Sequence, residues 1–214
     1  MGKTLLKLNN VTAGYDKKIV LREASFSIAQ KESVIICGPN GGGKTTLLKL
    51  IAGLIEPKEG EITRQEDLIM GYLPQYRDID RDFPITVEET VLSGLNCRKS
   101  IWKSFDKEHK AQVAALLESF QLTSLAQRPI NSLSGGQWQR TLIARSLAGN
   151  PDLWLLDEPD THLDSESLNY LHNKIVDESG KRAIVVVTHH PEILTHMPQK
   201  RVLHVENHKV EELT

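Results

Sequence analysis

One segment constrains the fold of this chain more than any other, a short apolar run that ends in a glycine-rich loop. The run Ser33–Cys37 is followed by Gly38-Pro39-Asn40-Gly41-Gly42-Gly43-Lys44-Thr45, which fits the pattern G-x-x-x-x-G-K-[ST]. Leucines at helical spacing follow between Thr45 and Ile55, and Pro57 closes that stretch. A buried strand, a glycine loop and a helix begin a βα unit, so the sequence predicts an α/β fold with parallel strands.

The glycine loop also predicts a phosphate site. Glycines let backbone N–H groups turn inward around phosphate oxygens, and the helix that follows points its positive end at the same oxygens. Lys44 adds a full positive charge, and the hydroxyl of Thr45 can reach Mg²⁺. The predicted phosphate contacts are Gly38, Pro39, Asn40, Gly41, Gly42, Gly43, Lys44, Thr45 and Thr46.

Two acidic residues follow a second apolar strand, Leu153–Asp157. Ligand sites of α/β folds gather at the carboxyl ends of such strands, so Asp157 could hold a Mg²⁺ ion that Thr45 also binds. Glu158 could polarise an attacking water as a general base. Such a pair alone is a weak signal, because it could simply cap the next helix. The glycine loop earlier in the chain makes the pair a strong signal.

A second anion-binding site is predicted at Leu133-Ser134-Gly135-Gly136-Gln137. Ser134 can cap the helix that begins there, and Gly135 and Gly136 expose backbone donors at its positive end. This segment follows a helical stretch and does not adjoin the glycine loop, so one nucleotide in a monomer is not expected to touch both. A two-fold dimer would place it on the nucleotide of the partner.

The middle of the chain is predicted to be a helical lobe inserted into the α/β core, because its periodicity is helical from about residue 87 to residue 148. The predicted elements outside the glycine loop and the acidic strand are strands at Leu5–Val11, Ser25–Ile28, Ala183–Val187, Val202–Val205 and Lys209–Glu211, a turn at Gly14–Asp16, and helices at Val87–Leu95, Lys107–Phe120, Gly136–Ala148 and Glu166–Asp177. Residues 1–214 are therefore expected to form one domain, with a helical subdomain at about 87–148.

Composition excludes several classes of protein. With 26 lysines and arginines against 28 aspartates and glutamates, the net charge of −2 lacks the basic excess of a nucleic-acid binder. Cys37 and Cys97 do not make a disulfide framework, which suits a reducing compartment. No apolar stretch approaches the roughly 20 residues of a membrane-spanning helix. The sequence therefore predicts a soluble, cytosolic type of protein that needs a partner to work at a membrane.

Together these motifs resemble the ATP-binding subunits of ATP-binding cassette (ABC) transporters over nearly the whole chain. Residues 38–45 match the family's Walker A loop, Leu155–Pro159 matches Walker B with its catalytic glutamate, and Leu133–Gln137 matches the family signature letter for letter. The resemblance implies a P-loop NTPase core with a parallel sheet, an N-terminal antiparallel β subdomain and an inserted helical lobe. It also implies an ATP hydrolase that uses ATP and Mg²⁺ and dimerises around two ATP molecules.

The resemblance assigns four further residues. Tyr15 aligns with the aromatic residue that stacks on adenine, and Gln75 with the glutamine that joins the core to the helical lobe and ligates Mg²⁺ or water. Asp164 ends the segment Thr161–Asp164, which aligns with the family's D-loop, and His189 aligns with its switch histidine. The implied catalytic residues are Glu158, His189 and Gln75, and the implied Mg²⁺ ligands are Thr45, Gln75 and Asp157. Three departures, Gly42, Asp160 and His190, remove no catalytic group.

The resemblance also implies partners and a location. Homodimers of this family pair with membrane permease subunits on the cytoplasmic side of the inner membrane, and importers add an extracytoplasmic solute-binding protein. Residues 80–87 resemble the corresponding segment of bacterial zinc/manganese and iron-chelate importers, whereas Asp160–Asp164 is closer to the iron-chelate form. Uptake of a metal ion is therefore favoured, and no nucleic acid is expected as a partner.

Three alternative functions remain open from the sequence. The chain could be a soluble ABC-type ATPase acting on iron–sulfur assembly or nucleic acid, with the near-neutral charge against the nucleic-acid form. It could also be the ATPase of a small exporter. A regulatory module that binds nucleotide without turnover is the third, and the intact set of Lys44, Asp157, Glu158 and His189 argues against it.

Overall fold

The computed structural model describes residues 2–75, 81, 83–95, 105–161, 163–189, 197 and 199–213. The strands are β1 Thr4–Tyr15, β2 Lys18–Ala29, β3 Ser33–Cys37, β4 Glu59–Arg64, β5 Met70–Leu73, β6 Leu153–Asp157, β7 Ala183–Val187, β8 Lys200–Glu206 and β9 Lys209–Leu213. The helices are α1 Lys44–Ile51, α2 Val87–Ser93, α3 Lys107–Ser119, α4 Gly135–Leu147 and α5 Ser165–Ser179. Among the described residues, none of these helices has both the length and the apolar character needed to cross a membrane.

A six-stranded sheet in the order β5-β6-β7-β3-β8-β9 forms the centre of the fold. Its first five strands run parallel, and β9 closes the edge as an antiparallel hairpin with β8. Strands β6 and β7 are buried along their whole length, as continuous apolar runs require when both faces of a sheet are covered. The predicted parallel core is confirmed.

One face of this sheet packs against α1 and a separate antiparallel sheet in the order β2-β1-β4. Val185 and Val187 of β7 point to this side, together with Leu47 and Leu48 of α1. The alternate residues Ile184 and Val186 point to the other side, where they share a core with Trp138 and Trp154. The period of two along β7 therefore separates the two cores, one under the antiparallel sheet and one under the helices.

Local capping explains where the helices between β5 and β6 begin. Thr86 and Glu89 form a capping box at the start of α2, and the Asp106 carboxylate accepts two backbone N–H groups at the start of α3. The indole N–H of Trp154 donates to the hydroxyl of Ser146 at 2.9 Å, which joins α4 to β6 inside the second core. The Trp154–Ser146 bond holds α4 against the sheet on the side opposite α1.

Three details of the predicted secondary structure were wrong. Gly14 was predicted to lie in a turn, but it lies in β1. Glycine is needed there because a Cβ would come within 2.0 Å of the Lys18 carbonyl oxygen across the hairpin. Helix α1 ends at Ile51 and not at residue 55, since Gly53 turns the backbone to a φ of 72°. Strands β4 and β5 were not predicted, because both lie at sheet edges, β4 carries one apolar residue, and β5 is only four residues long.

Candidate nucleotide-binding site

The glycine loop connects β3 to α1, and its backbone geometry requires glycine. Gly38 and Gly43 have φ values of 136° and 109°, which side chains rarely adopt. A Cβ on Gly38 would lie 2.2 Å from the Val205 carbonyl oxygen of β8. Gly43 is the residue that precedes α1, so the positive end of that helix lies directly at the loop.

Lys44 lies inside the loop with 5% of its surface exposed. Its ammonium group donates to the carbonyl oxygens of Gly38 at 2.9 Å and Pro39 at 3.0 Å. Burial lowers the pKa of Lys44, and the nearby carboxylates of Glu158 and Asp157 oppose that shift. A concentrated positive charge therefore lies at the loop, next to the helix end that also favours an anion.

Thr45 and Asp157 meet although 112 residues separate them in the chain. The Thr45 hydroxyl donates to Oδ1 of Asp157 at 3.2 Å, and Asp157 is buried at the end of β6 with 1% exposure. A hydroxyl and a carboxylate are hard oxygen donors, the type that Mg²⁺ prefers. The donor set at this point therefore fits the predicted ion.

Glu158 is the centre of a second cluster, one residue beyond Asp157. The side-chain amide of Gln75 donates to one carboxylate oxygen of Glu158 at 2.7 Å, and Nε2 of His189 lies 3.2 Å from the other. Glu158 has a left-handed backbone with φ of 48°, a strain that non-glycine residues often carry at functional sites. Its N–H donates to the Val187 carbonyl at 3.0 Å, which fixes the cluster to the end of β7.

The predicted signature segment begins α4 through a capping box. The Ser134 hydroxyl accepts the Gln137 N–H at 3.3 Å, and the Gln137 side chain accepts the Ser134 N–H at 3.0 Å. A Cβ on Gly136 would lie 2.6 Å from the Ser167 hydroxyl at the start of α5. The side chains of Ser134 and Gln137 therefore hold the helix end in shape, and helix geometry gives the N–H groups of Gly135 and Gly136 no partner within α4.

The remaining predicted residues lie at element ends. Tyr15 ends β1 with 46% of its surface exposed, and Thr46 is buried in α1. Asp164 caps α5 by accepting the Ser167 N–H at 2.8 Å, and this hydrogen bond lowers the pKa of its carboxyl group. Asp160 accepts a hydrogen bond from the Thr188 hydroxyl at 2.7 Å. Residues 80, 82, 97, 162 and 190 lie outside the described residues.

Two contacts around the site were not foreseen. The buried side chain of Gln139 in α4 donates to the Pro159 carbonyl at 2.7 Å, directly beyond Glu158. Arg81 donates to the Leu133 carbonyl at 2.6 Å, directly before Ser134. Gln139 lies on the apolar side of a helix, and Arg81 lies in the segment 80–87 that resembles metal importers, but neither signal predicts these contacts.

The fold and the site together define a P-loop ATPase. A family model described as ABC transporter matches residues 21–161. The chain belongs to the ABC transporter family and is an ATP-binding, ATP-hydrolysing subunit of that family.

Characterised relatives carry names from metal transport. The chain is 37% identical over 196 residues to the high-affinity zinc uptake system ATP-binding protein ZnuC of Bacillus subtilis, covering 86% of this chain and 84% of the relative. It is 34% identical over 191 residues to the manganese transport system ATP-binding protein MntB of the same organism, covering 86% of this chain and 76% of the relative.

Solved structures agree with this fold. An inward-facing ABC transporter assigned to the metal-chelate type matches with a TM-score of 0.86 and 27% identity, over 99% of this chain and 83% of that one. A dimeric ATP-binding cassette in a post-hydrolysis state with ADP and Pi matches with a TM-score of 0.82 and 28% identity, over 98% of both chains.

Proposed function

We propose that this chain hydrolyses ATP to drive uptake of a metal ion, zinc, manganese or iron, through a membrane permease. One observation carries the catalytic part of the proposal: two adjacent carboxylates have different hydrogen-bond partners. Asp157 contacts the threonine of the glycine loop, whereas Glu158 contacts Gln75 and His189. In this account residues 1–214 are a single ABC ATPase domain with a helical subdomain at about 87–148.

Nucleotide binding is assigned to the loop and its flanks. Residues 38–46 cradle the phosphates, and the Lys44 ammonium exchanges its two carbonyl partners for phosphate oxygens. Thr45, Asp157 and Gln75 would hold Mg²⁺, which when bound neutralises charge on the phosphate oxygens. The exposed ring of Tyr15 offers a face for stacking on adenine.

Hydrolysis is assigned to the Glu158 cluster. Glu158 accepts the proton of the attacking water, and its two neighbours hold the carboxylate in a fixed orientation. His189 is 40% exposed at the side chain, so it is accessible to hydrogen-bond the terminal phosphate. Gln75 belongs to the segment that leads from β5 into the helices. It would therefore connect the hydrolysis site to the helical subdomain.

The signature residues are assigned to the nucleotide of a second copy. Ser134, Gly135, Gly136 and Gln137 form a capped helix end whose positive dipole favours an anion. Asp164 at the start of α5 lies beside this helix end, because Ser167 contacts both elements. Two copies around two ATP molecules would complete both sites, and a solved relative, a bacterial ABC transporter cassette, is described as dimeric.

We assign the permease to an apolar groove of about 290 Å³ next to the helices. Phe83 lines it with 61% of its surface exposed, and Ile85, Trp138, Leu142 and Arg145 contribute further walls. Exposed apolar surface of this kind is typical of protein interfaces. A chain bound there to a permease would lie peripherally on the cytoplasmic side of the inner membrane, in a system that includes an extracytoplasmic solute-binding protein.

The metal is proposed from the relatives, whose names refer to zinc and manganese transport. The test is uptake of radioactive zinc, manganese and chelated iron by the host cells, with the chromosomal copy changed to Lys44→Ala. We expect the uptake of one metal to be lost, whereas a matched change of an exposed lysine, Lys7→Ala, leaves it intact. Normal uptake of all three metals in the Lys44→Ala strain would overturn the metal assignment.

A further inference from the structure

Arg81 contacts the loop that leads into the signature segment. Its guanidinium group donates to the carbonyl oxygens of Leu133 at 2.6 Å and Ile130 at 3.4 Å, and it lies 5.7 Å from the centre of the Trp138 ring. Leu133 directly precedes Ser134, and Trp138 lies in the first turns of the same helix, α4. One side chain therefore holds both the backbone before the signature and the helix after it.

Backbone hydrogen bonds run beside this contact. The Ile130 N–H donates to the Ile85 carbonyl at 3.1 Å, and the Val87 N–H donates to the Arg128 carbonyl at 3.1 Å. The backbone at Ile85 and Val87, a few residues after Arg81, is thus paired with the loop that precedes the signature. A displacement of one segment would be passed to the other, because close-packed protein interiors transmit strain.

The same segment lines the apolar groove assigned to the permease. Phe83 and Ile85 form one side of that groove, and Trp138 forms part of another. A partner seated there would touch residues on both sides of the Arg81 contact. Arg81 therefore contacts Ile130 and Trp138, which line the groove, and Leu133, which precedes the signature.

We propose that Arg81 is a positioning residue for the signature. By fixing the Leu133 and Ile130 carbonyls against Trp138, it sets the direction in which Ser134 and the first turn of α4 face the partner's nucleotide. This inference rests on the proposed function of the signature residues in a dimer. Arginine suits the position because its planar, rigid fork can serve two carbonyls and lie over an aromatic ring, whereas lysine offers a single compact charge.

A positioning role and a merely structural role predict different results. A structural role would weaken folding and nucleotide binding to the single protomer together. A positioning role weakens only the steps that need the signature of a second copy, because Lys44 and the glycine loop lie elsewhere in the protomer. Protomer nucleotide affinity and dimer formation are therefore the two quantities to separate.

The experiment measures Mg-ATP-dependent dimerisation by analytical ultracentrifugation in a Glu158→Gln background, where turnover is blocked. We expect Arg81→Gln to weaken dimerisation about 10-fold or more, the equivalent of one hydrogen bond from a charged donor, while ATP affinity of the protomer stays within about 2-fold. Arg81→Lys should recover only part of the loss. Arg182→Gln is the matched control, since Arg182 is also a half-buried arginine that donates to a backbone carbonyl, that of Pro151 at 2.8 Å.

Further outcomes separate this inference from the proposed function. Ser134→Arg in the same background must abolish dimerisation, and dimers of that variant, or a parent that stays monomeric with Mg-ATP, would overturn both. If Ser134→Arg abolishes dimerisation but Arg81→Gln dimerises like its parent, only the role of Arg81 is overturned. Parallel losses of ATP affinity, thermal stability and dimerisation in Arg81→Gln would also overturn it. Should Arg81→Gln fail to fold, the same comparison is made with Arg81→Lys.

Discussion

Replacing the Glu158 carboxylate by an amide tests the catalytic account in its simplest form. In the structure one oxygen of Glu158 accepts from Gln75 at 2.7 Å, and the other faces His189 at 3.2 Å. The glutamine of a Glu158→Gln variant has the same shape, so its oxygen can keep the Gln75 contact while its NH₂ group faces the histidine ring. We therefore expect the free energy of unfolding to change by no more than about 1 kcal/mol.

The effect on turnover should be far larger. An amide cannot take a proton from water, and loss of a positioned general base slows a reaction by about 10²–10⁴-fold. That range corresponds to about 3–5 kcal/mol of added barrier. Binding should not weaken, because removing a negative charge beside Lys44 leaves a more positive site for the phosphates.

The assay combines steady-state phosphate release with equilibrium binding of a fluorescent ATP analogue to the same preparation. Glu118→Gln, at an exposed position of α3, is the matched control and should behave like the parent in both measurements. Phosphate release by Glu158→Gln within a few-fold of the parent rate would refute the role of Glu158 as base. Loss of ATP binding would instead show that the carboxylate holds the site together.

Three more predictions test other contacts. Gly38→Ala should lower the free energy of unfolding in urea by about 1–3 kcal/mol more than Gly41→Ala does. A Cβ at position 38 would lie 2.2 Å from a β8 carbonyl oxygen, whereas a Cβ at position 41 meets nothing within 4 Å. Equal losses would contradict the loop geometry. Ser146→Ala leaves the buried indole N–H of Trp154 without its acceptor and should cost about 1–3 kcal/mol in thermal unfolding, so an unchanged stability would argue against that contact. Burial raises the pKa of Cys37 above 9.0, so its neutral thiol stabilises the fold at lower pH, and that stability is lost as pH rises through the raised value. In a Cys97→Ser variant, alkylation of Cys37 by iodoacetamide should still accelerate above pH 9.0. A rate that reaches a plateau below that pH would contradict the raised pKa.

The parallel strands could be predicted from sequence because their signal is local. Ser33–Cys37, Leu153–Asp157 and Ala183–Val187 are apolar along their whole length, and the structure gives these three strands the predicted bounds. Strand β4, Glu59–Arg64, was missed because it pairs at the edge of a sheet and needs little apolar character. Its pairing with β1 depends on contacts distant in the chain.

The candidate site divides in the same way. The glycine loop and the capped start of α4 depend on neighbouring residues, so their motifs were visible in the sequence. The meeting of Gln75, Glu158 and His189 follows from the order of β5, β6 and β7 in the sheet, which the sequence alone does not specify. Without a known family, Gln75 and His189 would have been single polar residues after strands. Arg81 lies in the segment that resembles metal importers, but its contact could not be predicted because its partners are backbone carbonyls, which no residue type reveals.

Capture from detergent-solubilised membranes of the host determines whether this ATPase binds and drives a membrane permease. The tagged Glu158→Gln chain is used with Mg-ATP to hold the closed state, beside a Lys44→Ala chain as a control that should not close. We expect recovery of a multi-spanning permease with the first chain, in stoichiometric amounts and dependent on ATP. Recovery of soluble proteins alone would contradict it and favour an ATPase of soluble assembly.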